Sequence, residues 1–267
     1  MGKVITVAIE KGGVGKTTTV SNLAALYGMN KMKTLVIDMD PQGNCTKTLT
    51  GGKGKSEFNG KGVFDLFKTF GFVSPDEYII KTPHENVHLI PCNEFSSQIT
   101  NLLPIMKAQY GKPEYCYLSM CLGDIVDEYD IILVDTAPAK DYLVTSSLYL
   151  ADYVIIPFCA DGYSTDGMHS VYALIDKLNQ EERANIKILG LLMTKTEKTS
   201  ATNFIREQLQ MSDFAEDLFE TEIKKTVAVS ESTILSVPVV IGEKYNNAAK
   251  NYVALYDEIN KRLKREE

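Results

Sequence analysis

Long apolar runs are missing from this chain: no stretch approaches the ~20 residues a membrane-spanning helix requires. Cysteine is sparse and unpaired in pattern. Cys45, Cys92, Cys116, Cys121 and Cys159 are odd in number and contain no Cys-x-x-Cys spacing, which argues against a disulfide framework or a zinc site and for reduced thiols in the cytosol. An excess of positive charge is also lacking. With 28 Lys and Arg against 35 Asp and Glu, the formal charge is −7, so the surface as a whole is not built for nucleic acid and any DNA contact must be patch-wise. The opening segment Met1–Ile9 has neither the apolar core nor the cleavage site of a signal peptide. It enters its first strand at once, leaving no room for an N-terminal helix-turn-helix, so operator-specific repression is not expected. A soluble, cytoplasmic protein is the expectation.

What is present is a core. The 267 residues are 44% hydrophobic, and no linker interrupts them, so we expect one domain spanning residues 1–267. The longest low-complexity stretch, Gly51–Gly62, carries five glycines and three lysines and reads as an exposed loop. Short β-branched runs recur at Val4–Ile9, Thr34–Ile37, Val87–Ile90, Ile131–Val134, Val154–Ile156 and Ile188–Leu192. Helical patterns lie between them, at Thr17–Tyr27 and Gly167–Asn179, and a last one follows at Ala248–Leu263. Fully apolar strands alternating with helices predict an α/β fold, a mostly parallel sheet covered by helices on both faces. In the second helix Met168, Val171, Ile175 and Leu178 form one stripe. The last helix puts Ala248, Tyr252, Leu255, Ile259 and Leu263 on one side and ends in Lys264-Arg265-Glu266-Glu267. Its Tyr and Ala dilute the apolar face and its tail is mixed in sign, which favours a helix packed on the domain over a membrane-targeting one.

The chemistry starts at Glu10-Lys-Gly-Gly-Val-Gly-Lys-Thr-Thr18, which follows an apolar strand and opens an amphipathic helix. That context makes a glycine-rich match a phosphate-binding expectation over Lys11, Gly12, Gly13, Val14, Gly15, Lys16, Thr17 and Thr18. The glycines let the backbone curl until N–H groups converge on phosphate oxygens, with the helix N-terminus aimed at the same charge. Lys16 then neutralises the β- and γ-phosphates of ATP, and the Thr17 hydroxyl can ligate Mg2+. A strict P-loop has glycine five positions before Gly15; Glu10 stands there instead. The stretch Gly54-Lys55-Ser56 also ends like a P-loop, but Leu49 fills the first glycine's place and no strand precedes it, so it is read as a decoy.

Two strands end in carboxylates. Val36-Ile-Asp-Met-Asp-Pro-Gln-Gly-Asn44 delivers Asp38 and Asp40 to a turn, where Asp often serves only turn N–H groups. Ile131-Ile-Leu-Val-Asp135 delivers Asp135 to the C-terminal edge of the sheet, where a carboxylate can hold Mg2+ through a water. Lys140, five residues on, reads as a solvated side chain.

The stretch Lys11–Thr18 resembles the deviant phosphate-binding motif of the ParA and MinD class of ATPases, and Asp38–Asn44 is similar to that class's second signature. The resemblance runs over nearly the whole chain, with Tyr153–Phe158 through Met168 like the family's strand and helix, and Phe219–Ile223 through Val237–Val240 like its C-terminal strand, loop and strand. It implies that Lys11 reaches the nucleotide of a partner subunit in an ATP-sandwich homodimer, that Asp40 positions the attacking water, and that Asp38 lies in the shell around Mg2+ or the P-loop. It also implies slow hydrolysis stimulated by a ParB-type DNA-binding protein and a role in DNA partition. The sequence departs from the family at three places: Ala137 replaces the first proline of Asp-x-Pro-Pro, Lys224-Lys225 replaces a Pro-Arg pair, and Ala228 stands where arginine is common. No cysteine arrangement for a cluster, no terminal tyrosine cluster and no strong terminal amphipathic helix is seen, so a partition ATPase is the expectation, with a relative that positions a non-DNA cargo as the runner-up. An ATP-gated adaptor and a metabolic ATP-dependent enzyme are the other classes. Non-specific DNA binding would rest on Lys187, Lys195, Lys198, Arg206, Lys224 and Lys225.

Overall fold

The computed structural model describes residues 2–160, 164–182, 184–242 and 246–265. Eight described strands form one sheet: β1 (Lys3–Val7), β2 (Thr34–Asp38), β3 (Ile80–Lys81), β4 (Val87–Ile90), β5 (Ile131–Asp135), β6 (Tyr153–Cys159), β7 (Lys187–Thr196) and β8 (Ile223–Lys224). Their order is β3-β4-β2-β5-β1-β6-β7-β8. Every pair is parallel except β3 with β4.

The helices between them are α1 (Lys16–Met29), α2 (Asn44–Leu49), α3 (Val63–Lys68), α4 (Ile99–Tyr110), α5 (Tyr117–Leu122), α6 (Tyr142–Leu150), α7 (Ser164–Glu182), α8 (Ser200–Gln210), α9 (Val227–Leu235), α10 (Val239–Gly242) and α11 (Asn247–Arg265). Alternate residues of each central strand feed opposite cores, as the two-residue period of a strand demands. Ile5, Val36 and Leu133 pack with α1 and α11, whereas Val4, Leu35, Ile37, Ile132 and Val134 pack beneath α3, α4 and α5. On that second face, the far end of the sheet is covered by α6 and α7, where Met168, Val171, Ile175 and Leu178 meet Val154, Ile156 and Phe158. The sheet is thus covered on both sides.

The terminal helix packs on the domain: Ala248, Tyr252, Leu255, Ile259 and Leu263 are all buried in the same core as Leu23 and Tyr27 of α1. Burial of a side chain such as Leu255 or Ile259 contributes about 1.5–3 kcal/mol, which explains why the apolar stripe turns inward. Glu266 and Glu267 lie outside the described residues. No described helix is long and apolar enough to cross a membrane.

One expectation is corrected. The segment Val237–Val240, expected to be a strand, is the entry to helix α10. Pro238 has no N–H to give a ladder, and its carbonyl instead accepts from the N–H groups of Ile241 and Gly242 at 3.0 Å each. The Val240 N–H is taken by Asn22 Oδ1 of α1 at 3.0 Å, so this stretch closes over α1 rather than joining the sheet. The strand ahead of it is reduced to Ile223–Lys224, with an isolated bridge between Leu191 and Leu218.

Candidate nucleotide-binding site

The loop between β1 and α1 turns through two left-handed glycines, Gly13 at φ 74° and Gly15 at φ 87°. A side chain at either position would be strained there, because L-residues with a Cβ rarely adopt such angles. Gly15 is also the residue from which α1 starts, so the unpaired N–H groups of the first turn face the loop's concavity. A cavity of about 490 Å³ opens there. Gly12, Gly13, Gly15, Lys16, Thr17 and Thr18 line one end, and Asp40 and Gln42 line a second wall. Val14 differs from its neighbours: its side chain is buried in the core and its carbonyl accepts from Thr194 Oγ1 at 2.9 Å, which ties the loop to the end of β7.

Lys16 is buried, and its ammonium donates to the carbonyls of Ile9 at 3.1 Å and Lys11 at 2.9 Å. Burial pushes its pKa down, while Asp135 and Asp40 oppose that. A lysine held on backbone carbonyls is a cation stored beside the place where phosphates would lie. The Lys11 carbonyl is part of that store, but Lys11 does not line the cavity.

Thr17 Oγ1 donates to Asp135 Oδ2 at 2.7 Å, across 118 positions of sequence. The other oxygen, Asp135 Oδ1, is buried without a hydrogen-bond partner. Such an atom is costly unless something is to be bound there. Oxygen donors of this kind, a hydroxyl and a carboxylate beside a phosphate cradle, suit Mg2+, which takes few protein ligands and keeps water and phosphate oxygens. Asp135 sits opposite Asp38 in the register of β2 and β5. Both carboxyls are pushed above the usual carboxylate range, by burial first; Asp38 raises Asp135 further, while Thr46 hydrogen bonds hold Asp38 back. A bound cation would relieve that proximity of like charges.

Asp38 lies beside Asp135 and does not line the cavity. Its Oδ2 accepts from the Thr46 N–H at 2.7 Å and the Thr46 hydroxyl at 2.6 Å, and its Oδ1 from the Asp40 N–H at 3.2 Å. It therefore braces the strand end that presents Asp40, behind the loop. Asp40 is on the cavity wall, 7% exposed, and its Oδ1 accepts from the Gln42 N–H at 2.9 Å.

Two residues that sequence reasoning missed, Thr46 and Asn22, and one it placed only in a basic patch, Lys195, complete the site. Thr46 joins Asp38 to the chain after β4, its hydroxyl accepting from the Cys92 N–H at 2.8 Å. Asn22 lies on the cavity wall and links α1 to α10; an amide directly before the apolar run Leu23–Tyr27 is its signal. Lys195, at φ 53° between the shifted registers of β7 and β8, also lines the cavity. It therefore stands at the cavity, apart from the paired Arg206 and Lys225. Helix α9 closes the far wall through Val229, Ser230, Ser232 and Thr233. Lys140 forms an ion pair with Glu10 at 2.9 Å and donates to Ser170 Oγ at 3.1 Å.

A parallel sheet whose first strand runs into a glycine loop and helix, with an acid from a neighbouring strand bonded to the helix's first threonine, defines a P-loop nucleotide-binding protein. Residues 2–188 match the AAA domain family. Over 266 residues the chain is 32% identical to an uncharacterized protein of Pseudomonas putida, covering 99% of this chain and 97% of that one. It is 27% identical to the sporulation initiation inhibitor protein Soj of Bacillus subtilis, covering 97% and 98% of the two chains. Among solved structures, a putative plasmid partition protein of Borrelia burgdorferi bound to AMPPNP superposes with a TM-score of 0.77 at 25% identity, covering 100% of both chains. The chain belongs to the AAA domain family and within it to the ParA/Soj-type ATPases.

Proposed function

We propose that this chain, acting as a single domain over residues 1–267, is a Mg-ATP-dependent dimerising switch for DNA partition. The observation that supports it best is the Lys16, Thr17 and Asp40 lining of one cavity, with Asp135 bonded to Thr17 behind it, in a chain alignable over nearly its full length with Soj. ATP would lie along Lys11, Gly12, Gly13, Val14, Gly15, Lys16, Thr17 and Thr18. Thr17 and Asp135 would hold Mg2+, with Asp38 behind them as a brace; the ion, when bound, spreads the charge that grows on the transferred phosphoryl group. Lys16 leaves its carbonyl partners to face the β- and γ-phosphates. Asp40 accepts a hydrogen bond from the attacking water and orients it in line. Two subunits close face to face, with Lys11 crossing to its partner's nucleotide, and hydrolysis reopens them. Turnover is slow and is accelerated by a ParB-type DNA-binding protein.

A second reading, a related ATPase that positions a non-DNA cargo or an adaptor with little hydrolysis, is favoured by the state of the basic residues. Arg206 is held by both oxygens of Glu222, and Lys225 pairs with Glu197 at 3.2 Å. Ala228, where the family commonly has arginine, is buried. Pairing of these cations removes charge that a phosphate backbone would need. Retention of the ATP-loaded protein on duplex DNA at low and high salt decides between the two. Partition requires binding that needs ATP, falls steeply with salt and weakens in Lys224→Glu with Lys225→Glu; no retention at low salt assigns the cargo or adaptor role.

A further inference from the structure

The stretch Gly54-Lys55-Ser56, a false P-loop in sequence, has a place in the site. Lys55 starts a short 3-10 turn, Lys55–Phe58, and its ammonium donates to the Pro41 carbonyl at 2.6 Å. Pro41 directly follows Asp40. The Lys55 stem crosses Gly43 so closely that a Cβ on that glycine would meet Lys55 Cγ and Cδ at 2.7 Å, with Gly43 itself at φ 70°. Lysine and glycine are thus packed into one another on the turn that carries Asp40.

That turn is otherwise closed from within. The Gln42 N–H bonds to Asp40 Oδ1 at 2.9 Å, the Gly43 N–H to the Asp40 carbonyl at 2.9 Å, and the Asp40 N–H to Asp38 Oδ1 at 3.2 Å. Among the described residues, the hydrogen bond that reaches the Pro41 carbonyl from outside the turn is the one from Lys55. The lysine is held in turn by its own loop. Phe58 is 5% exposed, the Gly54 N–H bonds to Glu57 Oε1 at 2.8 Å, and Asn59 Nδ2 bonds to Glu94 Oε2 at 2.9 Å beyond β4.

The geometry points to Lys55 as a positioning residue for hydrolysis: its charge-assisted bond to the Pro41 carbonyl and its stem over Gly43 hold the Asp40 turn at the angle from which Asp40 orients the attacking water. A carboxylate that aligns a water loses effect with sub-ångström displacement, whereas ground-state ATP binding, made chiefly by the glycine loop and Lys16, depends far less on that turn. Lys55 does not line the cavity and acts only through the turn. The inference rests on the reading that Asp40 orients the water.

The test is single-turnover hydrolysis of ATP alongside equilibrium binding of a fluorescent ATP analogue, in Lys55→Met, Lys55→Arg and Asp40→Ala. Methionine keeps a stem over Gly43 and removes the donor; arginine keeps a cationic donor. Loss of one charge-assisted bond at a positioning contact should lower the hydrolysis rate about five- to twentyfold, with analogue affinity and urea midpoint near wild type, and Lys55→Arg should recover part of the rate. A wild-type rate in Lys55→Met, or a loss of affinity that matches its loss of rate, overturns the role. If Asp40→Ala itself hydrolyses at the wild-type rate, the reading of Asp40 falls and the role of Lys55 with it. If Asp40→Ala is inactive and Lys55→Met is not, the role of Lys55 alone falls.

Discussion

Replacing Thr46 by valine should destabilise the protein by about 2–4 kcal/mol while leaving its shape alone. The side chains are nearly equal in volume, so no cavity forms; what is lost is a hydroxyl making two bonds between fully buried groups. It donates to Asp38 Oδ2 at 2.6 Å and accepts from the Cys92 N–H at 2.8 Å, and Thr46, Asp38 and Cys92 are each 0% exposed. An orphaned buried N–H costs about 1–3 kcal/mol, and loss of a bond to a charged group about 1.5–3. The sum is discounted because Asp38 keeps the Thr46 N–H at 2.7 Å and can take up a proton when its partner is gone. Urea unfolding at pH 7.5 reads the change. With a slope of about 3 kcal/mol per molar, the midpoint should fall by about 1 M. Thr46→Ser retains the hydroxyl and loses a buried methyl, about 1 kcal/mol, so it should recover most of the deficit. Valine within 1 kcal/mol of wild type, or serine as unstable as valine, would refute the assignment of the stability to these two bonds.

Lys16→Ala should abolish equilibrium binding of a fluorescent ATP analogue, since the stored cation is removed; a folded variant that binds with wild-type affinity would sink the phosphate-binding assignment. Lys11→Ala should still bind ATP but show no ATP-dependent dimer by light scattering, and a dimer of normal strength removes Lys11 from the interface. Asp40→Ala should bind ATP and dimerise yet lose most single-turnover hydrolysis, because orienting the water acts on the transition state; an unchanged rate would make Asp40 a turn residue. Burial holds His84 and His88 below the ordinary histidine value, with Lys33 and Lys81 adding to the effect at His88. A depressed pKa means that the fold favours neutral imidazole, so this stability is complete above about pH 6.5 and is lost as pH falls below it. The urea midpoint should therefore drop more between pH 7 and 5.5 in wild type than in the double variant His84→Gln with His88→Gln, and equal drops would contradict the two shifts.

The phosphate loop was legible because its chemistry is contiguous: Gly13 and Gly15 can take left-handed angles, Lys16 and Thr17 follow at once, and a helix must start where they end. The apolar runs at Ile131–Val134 and Val154–Ile156 were equally plain, since strands buried on both faces carry no polar interruption. The layer of α3, α4 and α5 was not, because these segments are short and α4 holds Pro104 inside it, so helical period and length are both weak there. The strand expected at Val237–Val240 failed for a related reason, β-branched composition pointing one way and Pro238 with the Asn22 contact deciding the other. What only the tertiary structure decided are contacts between residues distant in the chain. Thr17 meets Asp135, Asp38 faces Asp135 in adjacent strands, Thr46 reaches Cys92 and Lys55 reaches Pro41. Local pattern specifies which groups stand at the ends of strands, but the order β4-β2-β5-β1 specifies which of those ends are neighbours, and hydrogen bonds and charge coupling act only between neighbours.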